Sequence, residues 1–500
     1  MTGIGGFTDV TMVGLDFLST LFTFVVGLVV LFVVVIFIVD VTQTKDAVRR
    51  NYPVVGRFRY VFSKLGEFFR QYFFAMDREE MPFNRAEREW VYVSSEGGDN
   101  TVAFGSTKTL TPVGTVIFVN CPFPTLTEDS VPTPLIIIGP HCDNPYESTS
   151  IINISGMSYG AISRPAVLAL SNGARLGGCW LNTGEGGLSP YHLEGGCDIV
   201  YQIGTAKYGV RDQDGALDIG RLRAIAEHPQ VMMFEIKMSQ GAKPGKGGIL
   251  PAVKVTREIA EIRGIPRQQA SISPNGHLDI RNVAELVDMI ERVREVTKKP
   301  VGFKAVVGAY GWLDNLCKEI LSRGIKTAPD FITVDSGDGG TGAAPMPLMD
   351  NVGLPVKEAL PMVADILIRN GLKDRIKLIA SGKLVTPAEV AWAFCAGADV
   401  AVSARGFMFA LGCIQALKCN KNTCPTGITT HEPRLQRGLD PEDKAVRVKN
   451  YVERLRYDVG VIAHSCGVPH PRALKRYHCR IVQSSGKSVP LNELYPPVAA

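Results

Sequence analysis

Three cysteines in the segment GCIQALKCNKNTCPTG have the residue type and spacing of iron–sulfur ligands. Cys413, Cys419 and Cys424 follow the pattern C-x5-C-x4-C, and Pro425 comes directly after the last cysteine. Cysteine thiolates hold iron–sulfur clusters, often with a proline after a ligand, whereas zinc sites favour cysteine pairs about two to four residues apart. Three ligands suit a cluster with three irons. The alternative is a set of three buried structural thiols, as is expected for Cys395 inside an apolar helix.

A second set of candidate residues follows short apolar runs of strand length, which recur from residue 150 onward. The runs are 152–156, 179–183, 232–237, 270–274, 301–306, 331–336, 377–382 and 400–404. Helical stretches lie between most of them, for example at 283–297 and 387–398. Short apolar strands that alternate with helices indicate parallel βαβ units, and eight such units are typical of a (β/α)8 TIM barrel. A doubly wound sheet is the alternative, but functional-looking residues after every run favour the barrel.

The active site of such a barrel lies at the carboxyl ends of the strands, where this sequence is glycine-rich and cationic. The loops after strands seven and eight commonly form a phosphate site, and glycine lets a ligand approach the backbone closely. We therefore expect a phosphate site in the turns Ser381-Gly382-Lys383 and Ala404-Arg405-Gly406, where Gly382 and Gly406 allow close approach and Lys383 or Arg405 adds charge. The other residues of this polar ring include Met157, Ser158, Thr183, Glu185, Lys237, Gln240, Lys243, Lys304, Asp338, Gly339 and Gly340.

Charged residues near these strand ends indicate an anionic substrate. Lys237, Lys243 and Arg263 are candidates for binding a dicarboxylate, because arginine is suited to bidentate carboxylate recognition, although Arg263 alone would be assigned to a solvated surface. Lys304 stands within a strand and is expected to face inward as a cation beside a flavin ring. The alternative is an outward-facing lysine whose stem covers apolar surface. Glu185 is a candidate proton carrier or orienting group.

Composition limits the classes of partner and compartment. The chain has 500 residues and a formal net charge of +5, which is too small to indicate nucleic-acid binding. Its eleven cysteines are odd in number and scattered, which argues against a disulfide framework and favours a reducing compartment.

Residues 17–39 form an uncharged apolar stretch of 23 residues, long enough to cross a hydrocarbon core of about 30 Å. A cleaved signal peptide is the alternative, but signal peptides have a basic start and a shorter apolar core. Residues 1–16 contain no lysine or arginine, whereas seven basic residues lie between positions 45 and 70. The positive-inside rule therefore predicts a single-pass protein of the cell inner membrane, with its N-terminus outside and its catalytic domain in the cytoplasm.

These observations divide the chain into five segments. They are an extracytoplasmic N-terminus (1–16), a transmembrane helix (17–39), a basic juxtamembrane and lead-in region (40–149), the barrel with the cysteine triplet (150–450) and a C-terminal extension (451–500). Residues 60–74 in the lead-in region are aromatic and basic. They are expected either to lie on the membrane surface or to pack on the globular domain.

Six segments in this order resemble the FMN-binding synthase domain of glutamate synthase, over roughly residues 150–450. They are GMSYGAIS (156–163), NTGEGG (182–187), IKMSQGAKPGKGG (236–248), ISPNGHLDI (272–280), DGGTGAAP (338–345) and GCIQALKCNKNTCPTG (412–427). The combination is specific, although no single motif is. The chain is most similar to short, membrane-anchored glutamate synthase-like proteins.

The resemblance implies FMN in the barrel mouth and a [3Fe-4S] cluster on the three cysteines. It also implies a 2-oxoglutarate pocket lined by Glu185, Lys237, Gln240, Lys243 and Arg263. The implied catalytic residues are Glu185, Lys237 and Lys304. The implied FMN contacts are the phosphate-site residues together with Met157, Ser158, Thr183, Lys304, Asp338, Gly339 and Gly340. In the family reaction, ammonia and 2-oxoglutarate give 2-iminoglutarate, and reduced FMN delivers hydride to it with electrons from the cluster. The expected partners are 2-oxoglutarate or a related keto acid, ammonia, the lipid bilayer and an electron donor such as ferredoxin or a reductase subunit.

The chain departs from full-size glutamate synthases in several ways. A membrane helix stands in place of the glutaminase domain, so a glutaminase would be a separate protein, and about 50 residues after 450 are too few for the C-terminal β-helix. No GxGxxG dinucleotide fold is evident, and the acidic-Gly-Gly turn after strand seven reads Ser381-Gly382-Lys383. Two other interpretations stay open. One is FMN-dependent amino-group transfer or other flavin chemistry on a glutamate-like dicarboxylate, and the other is a non-catalytic, membrane-tethered electron-transfer or scaffold subunit.

Overall fold

A computed structural model of the protein describes residues 5–309 and 311–498. The chain divides into two compact units, Met1–Arg85 and Ala86–Ala500. The larger unit contains a barrel with its surrounding helices, and the smaller unit contains a long apolar helix and several short helical segments.

The alternation of short apolar runs with helices folds the larger unit into a closed barrel of eight strands. The strands are β1 (Ile152–Ile154), β2 (Leu181–Asn182), β3 (Ile199–Ile203), β4 (Val231–Lys237), β5 (Val301–Val306), β6 (Phe331–Asp335), β7 (Lys377–Ser381) and β8 (Val400–Ser403). All neighbouring strands are parallel, and β8 closes the barrel on β1. The predicted (β/α)8 TIM barrel is therefore confirmed.

One of the predicted barrel strands, residues 270–274, was placed wrongly. Ser271–Ile272 pairs instead with Ile249–Leu250 in a small antiparallel hairpin, which belongs to the long connection between β4 and β5. The strand that takes its place in the barrel is β3, whose sequence IVYQI is buried along its whole length. Gln202 is the polar residue of that strand. Its buried side chain is tolerated because it donates a hydrogen bond to Glu235 inside the barrel.

Helices surround the barrel, and local signals set their ends. The longer helices are Arg85–Ser95, Arg164–Gly177, Ile219–Ala226, Arg257–Arg263, Val283–Thr297, Gly311–Arg323, Val356–Arg369, Pro387–Ala396 and Pro441–Ser465. The short ones are Pro190–Glu194, Met346–Asn351, Arg405–Ala410, Pro433–Gln436 and Leu491–Leu494. In the first helix after β1, Ser163 caps the N-terminus and Gly178 ends the helix in the left-handed conformation, as is typical of these residue types.

Apolar side chains fill the amino-terminal end of the barrel. The hairpin of Ile136–Ile138 and Tyr146–Ser148 contributes Ile138 and Tyr146 to a buried cluster with Trp180 and Phe331 from the barrel. The polar residues of the strands lie towards the opposite, carboxyl-terminal end of the barrel.

The second part of the lead-in region, from residue 86, and the C-terminal extension belong to the barrel unit. Val116–Phe118 pairs antiparallel with Cys479–Val482, which pairs in turn with Ser488–Pro490. The helix Pro441–Ser465 runs through the predicted boundary at residue 450. Residues on both sides of the predicted boundaries at 149 and 450 consequently belong to one compact unit.

The smaller unit is dominated by the helix Gly5–Thr42. Within the part of the chain that the structure describes, Met12–Thr42 is the one helix that is long and apolar enough to cross a membrane, and none of its most apolar window is buried. The predicted span 17–39 lies inside this helix, whereas residues 1–4 of the predicted extracytoplasmic segment lie outside the described residues. The helix fits a membrane anchor and also a signal sequence. Four helical segments follow, Ala47–Asn51, a 3-10 turn Val55–Arg57, Phe58–Phe69 and a π-helical turn Arg70–Phe74.

Gly173 offers a test of how the helices pack around the barrel. A Cβ added there would lie 2.5 Å from the Cβ of Val448 in helix Pro441–Ser465, so the two helices would have to separate. We expect Gly173→Ala to lower the free energy of unfolding by about 1–3 kcal/mol, as measured by thermal or denaturant unfolding. Gly460→Ala on the same long helix is the control, because a Cβ added there meets no atom within 4 Å and alanine favours helix. Equal losses in the two variants would contradict the packing argument.

Candidate active site

The carboxyl ends of the barrel strands surround a cleft of about 520 Å³. The residues that line it are Ser155, Gly156, Gln202, Lys237, Gln240, Lys304, Asp335, Gly340, Ser381, Gly382, Lys383, Val385, Ser403, Ala404 and Arg405. Nine of the site residues predicted from sequence are among them. Four of the lining residues are cations and one is an acid, so the cleft is suited to anions.

Lys304 faces the cleft from β5 and does not point outward. Its Nζ lies 3.2 Å from Asp335 Oδ2, and the Asp335 carboxylate also accepts hydrogen bonds from Gly241 N at 3.0 Å and Ser381 Oγ at 2.8 Å. Burial favours the neutral acid, but Lys304 and these donors outweigh it and hold the pKa of Asp335 below its ordinary value. Burial likewise opposes the charge of Lys304, but Asp335 and neighbouring carboxylates raise its pKa. The pair is therefore ionised.

The turns after β7 and β8 meet at one edge of the cleft. Gly382 has a φ of +122°, and a Cβ there would lie 2.2 Å from the Cβ of Ser336, so the turn requires glycine. Lys383 Nζ lies 2.7 Å from Asp338 Oδ2. Burial lowers the pKa of Arg405 to about 10, which leaves it a cation at neutral pH. Two cations and two tight turns at one edge are suited to a phosphate group.

The Asp338-Gly339-Gly340 segment contributes to this edge mainly by close packing. A Cβ added at Gly340 would lie 2.8 Å from Arg405 Nε, so the loop rests on the guanidinium group. A Cβ added at Gly241 would similarly lie 2.8 Å from Gly339 Cα. Asp338 therefore acts as the counterion of Lys383, while the two glycines let three loops come together.

Lys237, the last residue of β4, links two other predicted residues. Its Nζ donates to Gln240 Oε1 at 2.7 Å and lies 2.9 Å from Glu185 Oε2, in an ion pair that is not aligned as a hydrogen bond. Gln240 Nε2 donates in turn to Thr341 Oγ1 at 3.1 Å. Burial pushes the pKa of Glu185 up, but Lys237 and other nearby cations outweigh burial and lower it. Glu185 is therefore a carboxylate at neutral pH.

Four other predicted residues lie close to the cleft but do not line it. Lys243 is buried and donates to Ala343 O at 3.1 Å, and burial together with neighbouring cations lowers its pKa to about 8. Met157 and Ser158 are half-buried in the loop after β1. Thr183 is buried, and its hydroxyl donates to the next residue's carbonyl at 2.9 Å.

Arg263 lies at the C-terminus of helix Arg257–Arg263 and points into protein. Its guanidinium donates to Ser271 Oγ at 3.2 Å and Tyr159 O at 3.2 Å, and it stacks over the Tyr208 ring at 5.1 Å. A Cβ added at Gly186 would lie 3.1 Å from its Nη2. Arg263 therefore braces the loop that carries Glu185 and is not part of the cleft lining.

A buried carboxylate beneath the cleft was missed by the sequence analysis. Glu235 on β4 accepts hydrogen bonds from Asn182 Nδ2 at 2.9 Å, Gln202 Nε2 at 2.6 Å and Thr333 Oγ1 at 2.6 Å. A Cβ added at Gly156 would lie within 3 Å of both amide side chains, so this network forms the floor of the cleft. Its sequence signal was a polar residue within or at the end of each of four short, mostly apolar strands.

The three cysteines of the triplet lie in the segment that follows helix Arg405–Ala410. Burial raises the pKa of Cys413 to about 12, with a smaller contribution from the other two cysteines. In Cys424, burial is outweighed by hydrogen bonds, among them Thr426 Oγ1 at 3.3 Å from the sulfur, and the pKa is lowered. Among the described residues, no group of three or more His, Cys, Asp or Glu side chains is arranged to hold a metal ion. The iron–sulfur site therefore stays a prediction.

The fold and the cleft together define a (β/α)8 barrel with a mouth rich in cationic side chains. The model of the conserved region in glutamate synthase matches residues 119–469. The glutamate synthase large subunit-like protein YerD of Bacillus subtilis is 37% identical over 95% of this chain and 98% of that protein. The chain thus belongs to the glutamate synthase family.

Other relatives match a smaller part of their own length. The archaeal glutamate synthase (NADPH) of Methanocaldococcus jannaschii is 34% identical over 68% of this chain and 63% of that protein.

A solved structure of a flavocytochrome b2 mutant with benzoylformate is 14% identical and covers 83% of this chain and 85% of that chain, with a TM-score of 0.46. Mandelate oxidase with (S)-2-phenylpropionate is 14% identical over 73% of this chain and 86% of that chain, with a TM-score of 0.45.

Replacing Glu235 tests the buried network. In Glu235→Leu the three donors of Asn182, Gln202 and Thr333 lose their acceptor, and we expect the free energy of unfolding to fall by about 3 kcal/mol or more. Glu235→Gln keeps one acceptor oxygen and should lose less. Thermal unfolding of the two variants and the parent measures both effects. A Glu235→Leu variant as stable as the parent would contradict the network.

Proposed function

We propose that the protein is an FMN-dependent oxidoreductase of the glutamate synthase type, which reductively aminates 2-oxoglutarate through 2-iminoglutarate. The observation that supports this best is the cluster of cations at the barrel mouth, Lys237, Lys304, Lys383 and Arg405, in a chain of this family. A phosphate and a dicarboxylate are both anions, and a cleft with a surplus of positive charge is suited to hold the two together.

The residues of the cleft fit FMN. Gly156 and Gly382 let its walls pack closely, because a Cβ at either position would collide with neighbouring side chains, and glycine also leaves the backbone accessible to a ligand. The turns Ser381–Lys383 and Ala404–Arg405 would bind the phosphate, while Lys304 would supply a positive charge beside the flavin ring. FMN, when bound, supplies hydride to the substrate and accepts electrons one at a time.

The second group of cations would bind the substrate. Lys237, Gln240 and Lys243 would hold the carboxylates of 2-oxoglutarate, with Arg263 bracing the neighbouring loop. Glu185 Oε2 would carry two protons in turn from nitrogen to oxygen: the first as ammonia adds to the keto carbon and the carbonyl oxygen becomes a hydroxyl, and the second as that hydroxyl leaves as water and the carbon–nitrogen double bond forms. The ion pair with Lys237 keeps Glu185 ionised, which is the form that this first step requires.

The same proposal covers electron supply and location. Cys413, Cys419 and Cys424 would hold a [3Fe-4S] cluster that receives electrons from ferredoxin or a reductase subunit, and ammonia would come free or from a separate glutaminase. Helix Met12–Thr42 would be a single-pass anchor in the cell inner membrane, with the N-terminus outside and the barrel in the cytoplasm. The basic residues that follow the helix support this orientation.

An anaerobic reduction experiment tests the proposed reaction. The purified protein is reduced with dithionite, excess reductant is removed, and 2-oxoglutarate is added with ammonium while the visible flavin band is recorded. We expect the oxidised band to return and one glutamate to form per flavin, and neither to occur without ammonium. A flavin that stays reduced would exclude 2-oxoglutarate as the substrate. A protein that binds no FMN on reconstitution would contradict the cofactor as well.

The iron–sulfur proposal has its own test in Cys419→Ser. We expect this variant to lose iron but to retain flavin, because the cysteine would be a cluster ligand and does not line the cleft. Iron and flavin per chain are measured together. Cys121→Ser is the control and should keep both, since Cys121 lies outside the triplet. Unchanged iron in Cys419→Ser would show that the cluster assignment is wrong.

A further inference from the structure

The segment after the candidate membrane span has an apolar face that no other described residue of the smaller unit covers. Helix Phe58–Phe69 and the following turn Arg70–Phe74 place seven large residues on one side, at spacings of three and four. This aromatic stripe consists of Phe58, Val61, Phe62, Leu65, Phe68, Phe69 and Tyr72. Its side chains are between 39% and 66% exposed. A contiguous exposed patch of this kind marks an interaction surface.

A buried carboxylate fixes the start of this helix at the end of the span. Asp40 lies in the last turn of Met12–Thr42, and its Oδ1 is 2.8 Å from Arg49 Nη2 and 2.7 Å from Arg57 Nη2. Asp40 Oδ2 accepts a hydrogen bond from Val54 N at 3.1 Å. Because Arg57 directly precedes the stripe helix, that helix begins within one side chain's length of the end of the span.

Two further contacts hold the intervening residues in a compact turn. Tyr60 in the first turn of the stripe helix donates a hydrogen bond to Asp46, which also caps helix Ala47–Asn51. A Cβ added at Gly56 would lie 3.0 Å from Val48 O, so the backbone doubles back tightly there. The stripe helix is therefore held beside the end of the span and is not on a loose tether.

The composition of the stripe helix indicates which partner it binds. Five of the seven stripe residues are aromatic, and aromatic side chains are enriched where a bilayer meets water. The other face carries Arg59, Lys64 and Arg70 against one acid, Glu67. An aromatic face bordered by lysine and arginine is typical of helices that lie in the headgroup region of anionic membranes.

We propose that the aromatic stripe is a second membrane contact, which lies in the headgroup region of an anionic phospholipid bilayer beside the span. The proposal rests on the membrane anchor proposed above. If the anchor spans the bilayer, the ion pairs of Asp40 with Arg49 and Arg57 would place the stripe helix at the membrane surface. A protein partner for the stripe, either a second copy of the chain or another surface, is the competing outcome.

Tryptophan fluorescence of the full chain in vesicles tests the contact. Phe62→Trp reports from the stripe, and Ser63→Trp, on the opposite side of the same helix, is the matched control. The emission of the parent, which has four tryptophans, is subtracted. In vesicles of phosphatidylethanolamine and phosphatidylglycerol with brominated acyl chains, we expect several-fold stronger quenching for Phe62→Trp than for Ser63→Trp, with emission shifted to the blue. Equal quenching of the two variants would overturn the proposal.

A third variant separates failure of the stripe from failure of the anchor. Val30→Trp lies within the candidate span and should be quenched by brominated lipid. If Val30→Trp is quenched and Phe62→Trp is not, the anchor stands and the stripe proposal is overturned; if neither is quenched, both are overturned. Shielding of Phe62→Trp from aqueous iodide without quenching by lipid would show that protein covers the stripe.

The role of anionic lipid is tested by a change of headgroup. In vesicles of phosphatidylcholine alone, the basic flank loses its anionic partners, so the difference between Phe62→Trp and Ser63→Trp should shrink. An unchanged difference would overturn the anionic-lipid part of the proposal.

Discussion

The mouth of the barrel depends on the buried ion pair between Lys304 and Asp335. A charge removed from water is unfavourable unless it is paired and hydrogen-bonded, and Asp335 obtains its partners from three different elements. Lys304 stands on β5, Ser381 on β7 and Gly241 in the loop after β4. One carboxylate thus ties three strand ends together, and it holds Lys304 charged at the position where a ligand would meet it.

The partners of the buried acids change along the barrel axis, because every buried charge must be paired or hydrogen-bonded. At the floor of the cleft, Glu235 is satisfied by neutral donors, the amides of Asn182 and Gln202 and the hydroxyl of Thr333. Nearer the mouth, acids pair with lysines, as Glu185 does with Lys237 and Asp338 with Lys383. Lys383 and Arg405 lie at the turns after β7 and β8, whereas Lys237 and Lys304 lie opposite each other on the adjacent strands β4 and β5, so the cations are divided between two sides of the mouth.

Periodicity and strand-end position were sufficient to predict the fold and much of the cleft. Lys237 and the two turns could be found because each ends or directly follows an apolar run, and Lys304 because it is a cation within one. Strand β3 was missed, and the burial of its one amide side chain, Gln202, depends on Glu235 of the neighbouring strand, which only the fold brings to it. The orientation of Arg263 was equally inaccessible, because it depends on Ser271 and Tyr208, which only the tertiary fold brings to it.

The ion pairs of Asp40 involve two of the basic residues after the candidate span. Arg49 and Arg57 both contribute to the positive-inside argument, and both pair with the single Asp40 carboxylate, which can offset one of their two charges. The rule counts lysine and arginine themselves and is not a rule of net charge, so this pairing leaves the predicted orientation unchanged. The other basic residues are Lys45, Arg50, Arg59, Lys64 and Arg70, and the last three lie in the stripe helix and the turn that follows it. If that helix lies on the membrane, these three residues would both orient the candidate span and bind the anionic surface.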